Sequence, residues 1–337
     1  MNPILEHQTL TTRRELLGQM GLGIGAAALG TLMNAASPAA APDPNAPVLP
    51  HFAPKAKRVI YLFQNGGPTH VDLLDYRPKL RELEGQPLPA ELLSGKRFST
   101  MTATQDKVFL PEITHFAQRG ECGRWIAEDF LPYTADIVDE LCFINSMTTT
   151  QVNHAPAITY FLTGSEMAGK PSMGAWLTYG LGSETDNLPG FIVMTSRDRQ
   201  ASCGQIFYDF YWGSGYLPSK YQGVKFRGAG DPVLYLSNPK GISRAIRRSQ
   251  LDDLAALNQR NQERLGDPEI SARIAQYEMA YKMQASVPEL TDFTDEPKHI
   301  LEMYGPQVQD KGSFAYNCLM ARRLAERGCR FIQLMHA

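Results

Sequence analysis

Two loops hold the side chains best suited to chemistry. The first is Gln64-Asn65-Gly66-Gly67-Pro68-Thr69-His70-Val71-Asp72-Leu73-Leu74-Asp75. Hard divalent ions take carboxylate and carbonyl oxygens, and borderline ions also accept imidazole nitrogen. Asn65, His70, Asp72 and Asp75 are therefore candidate metal ligands. The spacing fits equally a turn in which Asp72 caps a following helix. The second loop is Thr148-Thr149-Thr150-Gln151-Val152-Asn153-His154-Ala155-Pro156-Ala157. Asn153 suits a helix N-cap and Pro156 the first turn. His154 then opens the helix, where the exposed N–H groups and the dipole disfavour its protonated form. A neutral imidazole there can bind a metal, take a proton or attack as a nucleophile, which makes His154 the candidate catalytic residue. A structural histidine fits the same pattern.

Each loop follows an apolar run. Arg58–Gln64 is continuously apolar rather than alternating, which predicts a strand buried on both faces, as in a parallel sheet. Three more runs, Leu141–Ile144, Phe191–Met194 and Arg330–Met335, read as further strands. A helical stretch from Asp129 to Glu140 and helices at about Ala155–Leu162, Met173–Leu181 and Ser313–Arg327 lie between them. Strands alternating with helices predict right-handed βαβ units and a mostly parallel sheet. Ile242–Leu265 and Glu269–Ala285 read as an antiparallel helical hairpin inserted beside that sheet, within an insertion of about 242–305. Its Arg244, Arg247 and Arg248 fit a solvated face. The segment from Cys203 to Tyr235 is rich in glycine and aromatics but has no sustained period. A substrate-facing loop and a surface loop packed through its aromatics both fit.

The N-terminus carries an address. Thr12-Arg13-Arg14-Glu15-Leu16-Leu17 matches the twin-arginine export motif, followed by a weakly apolar Gly/Ala-rich stretch and Ala39-Ala40-Ala41 as a cleavage signature. Residues 1–41 read as a signal peptide and 42–57, with prolines at 42, 44, 47, 50 and 54, as an extended linker. The expected partner is the twin-arginine export machinery and the expected location periplasmic or extracellular, with no stable membrane span after cleavage. Gly21-Leu22-Gly23-Ile24-Gly25-Ala26 mimics a dinucleotide-binding pattern, but no buried strand precedes it, so it belongs to the signal. A formal net charge of −2 gives no electrostatic reason to expect nucleic-acid binding. Five scattered cysteines are too few for a disulfide scaffold, and the lack of a CxxC pair argues against a structural zinc site.

Together these motifs resemble the bacterial "domain of unknown function 1501" family. The resemblance rests on the twin-arginine leader, Asn65-Gly66-Gly67-Pro68 with its Asp-rich loop, and Val138–Met147. It also rests on Asn153-His154 with Leu162-Thr163-Gly164, and on Gly328–Leu334. That family is similar to sulfatases of the alkaline-phosphatase superfamily. The resemblance implies an α/β/α sandwich, a divalent metal at the strand carboxyl ends, and hydrolysis of sulfate or phosphate esters. Asn65 stands where that superfamily has a metal-binding Asp, and His154 where it has its nucleophile, so no hydroxyl is present there. The superfamily's Asp/His ligand pair lies in a segment beyond Ala337. The sequence ends directly after an apolar strand, which reads as a fragment. The expected function is therefore a metal-dependent ester hydrolase, or a catalytically inactive hydrolase fold that binds a ligand outside the cytoplasm.

Overall fold

A computed structural model describes residues 53–99, 102–196, 207–228, 232–233 and 236–336. The expected leader, most of the linker, the glycine pattern at 21–26 and Cys203 lie outside the described residues. The chain divides into two compact units, Met1–Ala56 and Lys57–Ala337. In the first, the described residues 53–56 carry no regular secondary structure.

The second unit is an α/β structure around a four-stranded, wholly parallel sheet. In chain order the strands are β1 (Val59–Gln64), β2 (Phe116–Arg119), β3 (Arg124–Ala127), β4 (Phe191–Ser196), β5 (Val224–Phe226) and β6 (Phe331–His336). The main sheet has the order β1-β6-β4-β5, and β2 and β3 form a separate antiparallel hairpin. The last strand thus lies between the first and the fourth. Helices of eight residues or more are α1 (His154–Thr163), α2 (Met173–Leu181), α3 (Arg244–Leu265), α4 (Pro268–Thr291) and α5 (Phe314–Glu326). Serine hydroxyls cap three of them: Ser172 accepts from Ala175, Ser243 from Ile246 and Ser313 from Tyr316. Each satisfies one of the orphan N–H groups of a first turn.

Helices cover both faces of the sheet. On one, Phe191, Val193, Phe331 and Met335 pack with Ile158 and Leu162 of α1 and with Tyr211 and Trp212. Phe161 of α1 stacks against Tyr61 and Phe63 of β1. On the other, Ile192, Met194, Ile332 and Leu334 pack with Met283, Val287 and Leu290 of α4 and with Met320 and Leu324 of α5. β4 and β6 are buried on both sides, which is why they read as uninterrupted apolar runs.

Several expectations are corrected. β1 is an edge strand, and its Ile60 and Leu62 are exposed, so it is covered on one face rather than two. Leu141–Ile144 forms no strand. Phe143 instead packs on a small cluster of Ile126, Ala135 and Val138, with the Arg124 guanidinium 4.3 Å above its ring. A short apolar run serves either purpose, and periodicity does not separate them. Asp129–Glu140 is helical only over Pro132–Ala135 and in a 3-10 turn at Val138–Glu140. There the Asp139 carboxylate accepts the N–H groups of Glu121 and Cys122, tying the segment to the β2–β3 turn. In the glycine- and aromatic-rich region Tyr211 and Trp212 are core residues, and β5 emerges from it. Arg248 is ion-paired with Glu278 and Asp252 rather than merely solvated.

Candidate functional site

In a parallel open sheet, functional groups gather beyond the carboxyl ends of the strands. Here those ends fall in one register row, with Gln64 opposite His336 and His336 opposite Ser196. The Ser196 hydroxyl lies 3.1 Å from Nδ1 of His336. The imidazole ring sits 4.9 Å from that of Phe314, at the start of α5. Asn65, one residue past β1, donates its backbone N–H to the His336 carbonyl at 2.6 Å. Gly66 and Gly67 follow with φ of 88° and 70°, a conformation that disfavours side chains, and so turn the chain sharply at the sheet edge. Both polar atoms of the Asn65 side chain are buried without a hydrogen-bond partner among the described residues.

The other loop residues point to different tasks. Asp75 is held by Arg77, whose Nε donates at 2.9 Å, and His70 Nε2 lies 3.8 Å from the same carboxylate oxygen. Asp72 accepts the Ile113 N–H at 3.0 Å and lines an open groove of about 940 Å³ with Tyr76, Trp125 and Asp129. His154 is exposed as the first residue of α1; Asn153 precedes it in extended geometry, without a side-chain capping bond. Among the described residues no three His, Cys, Asp or Glu side chains come together so as to hold a metal ion. Of the four loop candidates, Asn65 is the one whose side chain makes no hydrogen bond or ion pair among the described residues.

Ser196 and His336 escaped the sequence reading. Both strands were recognisable, but nothing local shows that their ends are neighbours. The available signal was position alone, since each closes a strand that follows an apolar run and whose carboxyl end must face the functional edge.

The fold and this row of polar strand ends define an α/β protein with a candidate site at the carboxyl edge of a parallel sheet. The model of the family described as protein of unknown function (DUF1501) matches residues 56–337, and the chain belongs to that family. No curated protein and no solved structure matches it. Among the described residues no helix is long and apolar enough to cross a membrane.

Proposed function

We propose that this chain is an exported, sulfatase-like ester hydrolase acting on sulfate or phosphate monoesters at the carboxyl ends of β1, β6 and β4. The Ser196–His336 pair carries the reading: it supplies the hydroxyl that position 154 lacks, already within hydrogen-bond reach of a base. Ser196 Oγ attacks the phosphorus or sulfur while its proton passes to Nδ1 of His336. The ester oxygen leaves with its bonding electrons and takes that proton. Water, deprotonated in turn by His336, then hydrolyses the serine ester and restores the hydroxyl. A positioned base of this kind contributes about 10²- to 10⁴-fold. The Asn65 amide is a donor for the non-bridging oxygens, where charge builds in the transition state. His154 opens α1, which packs on β1 through Phe161. It is the second imidazole of the proposal.

The test is hydrolysis of a panel of aryl sulfates and aryl phosphates by the full-length protein, with intact-mass analysis after rapid quenching. Turnover with a transient sulfo or phospho adduct on Ser196, absent in Ser196→Ala, supports the proposal. No turnover and no adduct across the panel overturns it. A second reading, an inactive hydrolase fold that binds its ligand, is favoured by the internal engagement of Asp72 and Asp75. Ligand-dependent stabilisation that survives Ser196→Ala and His154→Ala, without turnover, would establish it. Export by the twin-arginine route belongs to the same proposal and is tested by Arg13→Lys with Arg14→Lys. Periplasmic protein that persists in that variant removes it.

A further inference from the structure

A second surface lies on the outer side of α2. Tyr216, Trp176, Tyr179 and Tyr221 form an unbroken row, each ring edge-to-face with the next at centroid distances of 6.0, 6.0 and 5.3 Å. An ammonium group stands at each end, Lys170 5.7 Å from the Tyr216 ring and Lys220 5.0 Å from the Tyr221 ring. Trp176, Tyr179 and Tyr216 are 44%, 45% and 64% exposed, although their bulk would normally be hidden. Contiguous exposed aromatics on a surface mark a binding site.

The row is built rather than incidental. Gly215 lies so tightly on the Lys170–Pro171 peptide that a β-carbon would stand 2.4 Å from its atoms, which fixes Tyr216 beside α2. Ser219 is clamped by both oxygens of Glu269, at 2.6 Å through the hydroxyl and 3.2 Å through the N–H, which fixes Lys220 and Tyr221. A preformed surface of this kind loses little freedom on binding.

The geometry points to an acidic polysaccharide as the ligand of this row. Ring faces carry negative quadrupole charge and attract the polarised C–H faces of sugar rings. The phenol hydroxyls and the indole N–H supply polar tips for sugar hydroxyls, and none of them is hydrogen-bonded among the described residues. Lys170 and Lys220 have no carboxylate partner among the described residues, so both charges are available for sulfate or carboxylate groups. A protein partner is the rival occupant, since interface centres are also rich in tyrosine and tryptophan, and self-association of the chain is its signature. A bilayer surface is a further rival, since tryptophan and tyrosine also favour the membrane interface, and binding to anionic vesicles is its signature. The inference stands apart from the chemistry proposed at Ser196, since it concerns binding alone.

The experiment is affinity electrophoresis of the full chain through gels carrying dextran sulfate, a polyuronate or neutral dextran. Dextran sulfate is expected to retard the wild type, with at least a tenfold loss of affinity in Trp176→Ala and in Tyr216→Ala and folding unchanged by thermal melt. Lys170→Ala with Lys220→Ala is expected to weaken binding and flatten its salt dependence. Retardation by polyuronate as well assigns the site to acidic glycans in general; by dextran sulfate alone, to sulfated ones. Equal retardation of wild type and the Trp176→Ala, Tyr216→Ala double variant overturns the inference. So does retardation by neutral dextran to the same degree, or a row that instead mediates self-association or binding to anionic vesicles. Hydrolysis of small soluble esters is read separately, so failure at one site is distinguishable from failure at the other.

Discussion

Gly228 and Gly312 meet backbone to backbone: a β-carbon on Gly228 would stand 2.4 Å from the Gly312 α-carbon. Gly312 also has φ of 86°, so neither position tolerates a side chain without movement. The contact ties the exit of β5 to the residue before Ser313, the N-cap of α5. Phe314 follows, and its ring contacts that of His336. Gly228→Ala is therefore expected to lower stability by about 1–3 kcal/mol, the range for overpacking a filled site. Thermal unfolding checks it, and an unchanged Tm would show that the two loops move apart freely.

Glu296 holds two guanidinium groups at once. Arg323 donates to it at 2.6 Å, Arg322 bonds the same oxygen, and the Glu296 and Arg323 side chains are almost wholly buried. Burial pushes the Glu296 carboxyl up, but the two arginines together outweigh it and hold the group below the usual carboxylate range. A depressed folded-state pKa gives stability that is complete above the unfolded value, about 4.3 for Glu, and is lost as pH falls through the folded value. The wild type should lose Tm steeply from about pH 4 downward, and Glu296→Gln should flatten that fall. Glu296→Ala leaves Arg323 buried without its partner and should cost about 3–5 kcal/mol at neutral pH. A pH profile of Tm identical in wild type and Glu296→Gln would refute the linkage.

The four described cysteines should differ in reactivity. Burial pushes the Cys329 thiol up to about 12, and its S–H points to the Pro189 carbonyl at 3.3 Å. Burial likewise pushes Cys318 up to about 11. Cys122 and Cys142 are exposed. Since the thiolate is the nucleophile, iodoacetamide at pH 8 should modify Cys142 readily in the native protein, Cys122 more slowly because the Asp139 carboxylate beside it pushes its thiol up, and Cys318 and Cys329 only after denaturation. Peptide mass mapping reads the result. Native labelling of Cys329 as fast as that of Cys142 would contradict its burial.

What was legible in the sequence followed from how each element is covered. Phe191–Met194 and Arg330–Met335 announced themselves because central strands of a parallel sheet are apolar on both faces. β1 looked the same yet lies at the edge. That depends on β6 inserting between β1 and β4, and no local pattern records strand order. The four-residue strands of the β2–β3 hairpin, Phe116–Arg119 and Arg124–Ala127, were too short and showed no alternation to read. At the site, the sequence marked Asn65 through the glycines that follow it. The Ser196–His336 pair joins residues 140 positions apart, and only the register of two strands makes them neighbours.

The face of β1 that packs under α1 carries polar atoms which the fold leaves unsatisfied, and these separate stability from function. The Tyr61 hydroxyl and both polar atoms of Asn65 are buried without a partner among the described residues, and burial pushes the Tyr61 phenol well above its usual range. An unsatisfied buried group costs about 1–3 kcal/mol, so its removal should be neutral or stabilising. Tyr61→Phe keeps the ring stacked between Phe63, Phe161 and Phe331, and is expected to hold or raise Tm with hydrolysis unaffected. Asn65→Leu is expected to raise Tm by a similar increment but to abolish turnover, because the amide it removes is the proposed donor to the ester oxygens. Such a gain in stability at the expense of activity is the signature of a group retained for function. Parallel melts and ester assays on the two variants decide the matter. If Asn65→Leu lowers Tm, the amide is satisfied in the folded protein and its role is structural. If it raises Tm and leaves turnover intact, Asn65 takes no part in the chemistry.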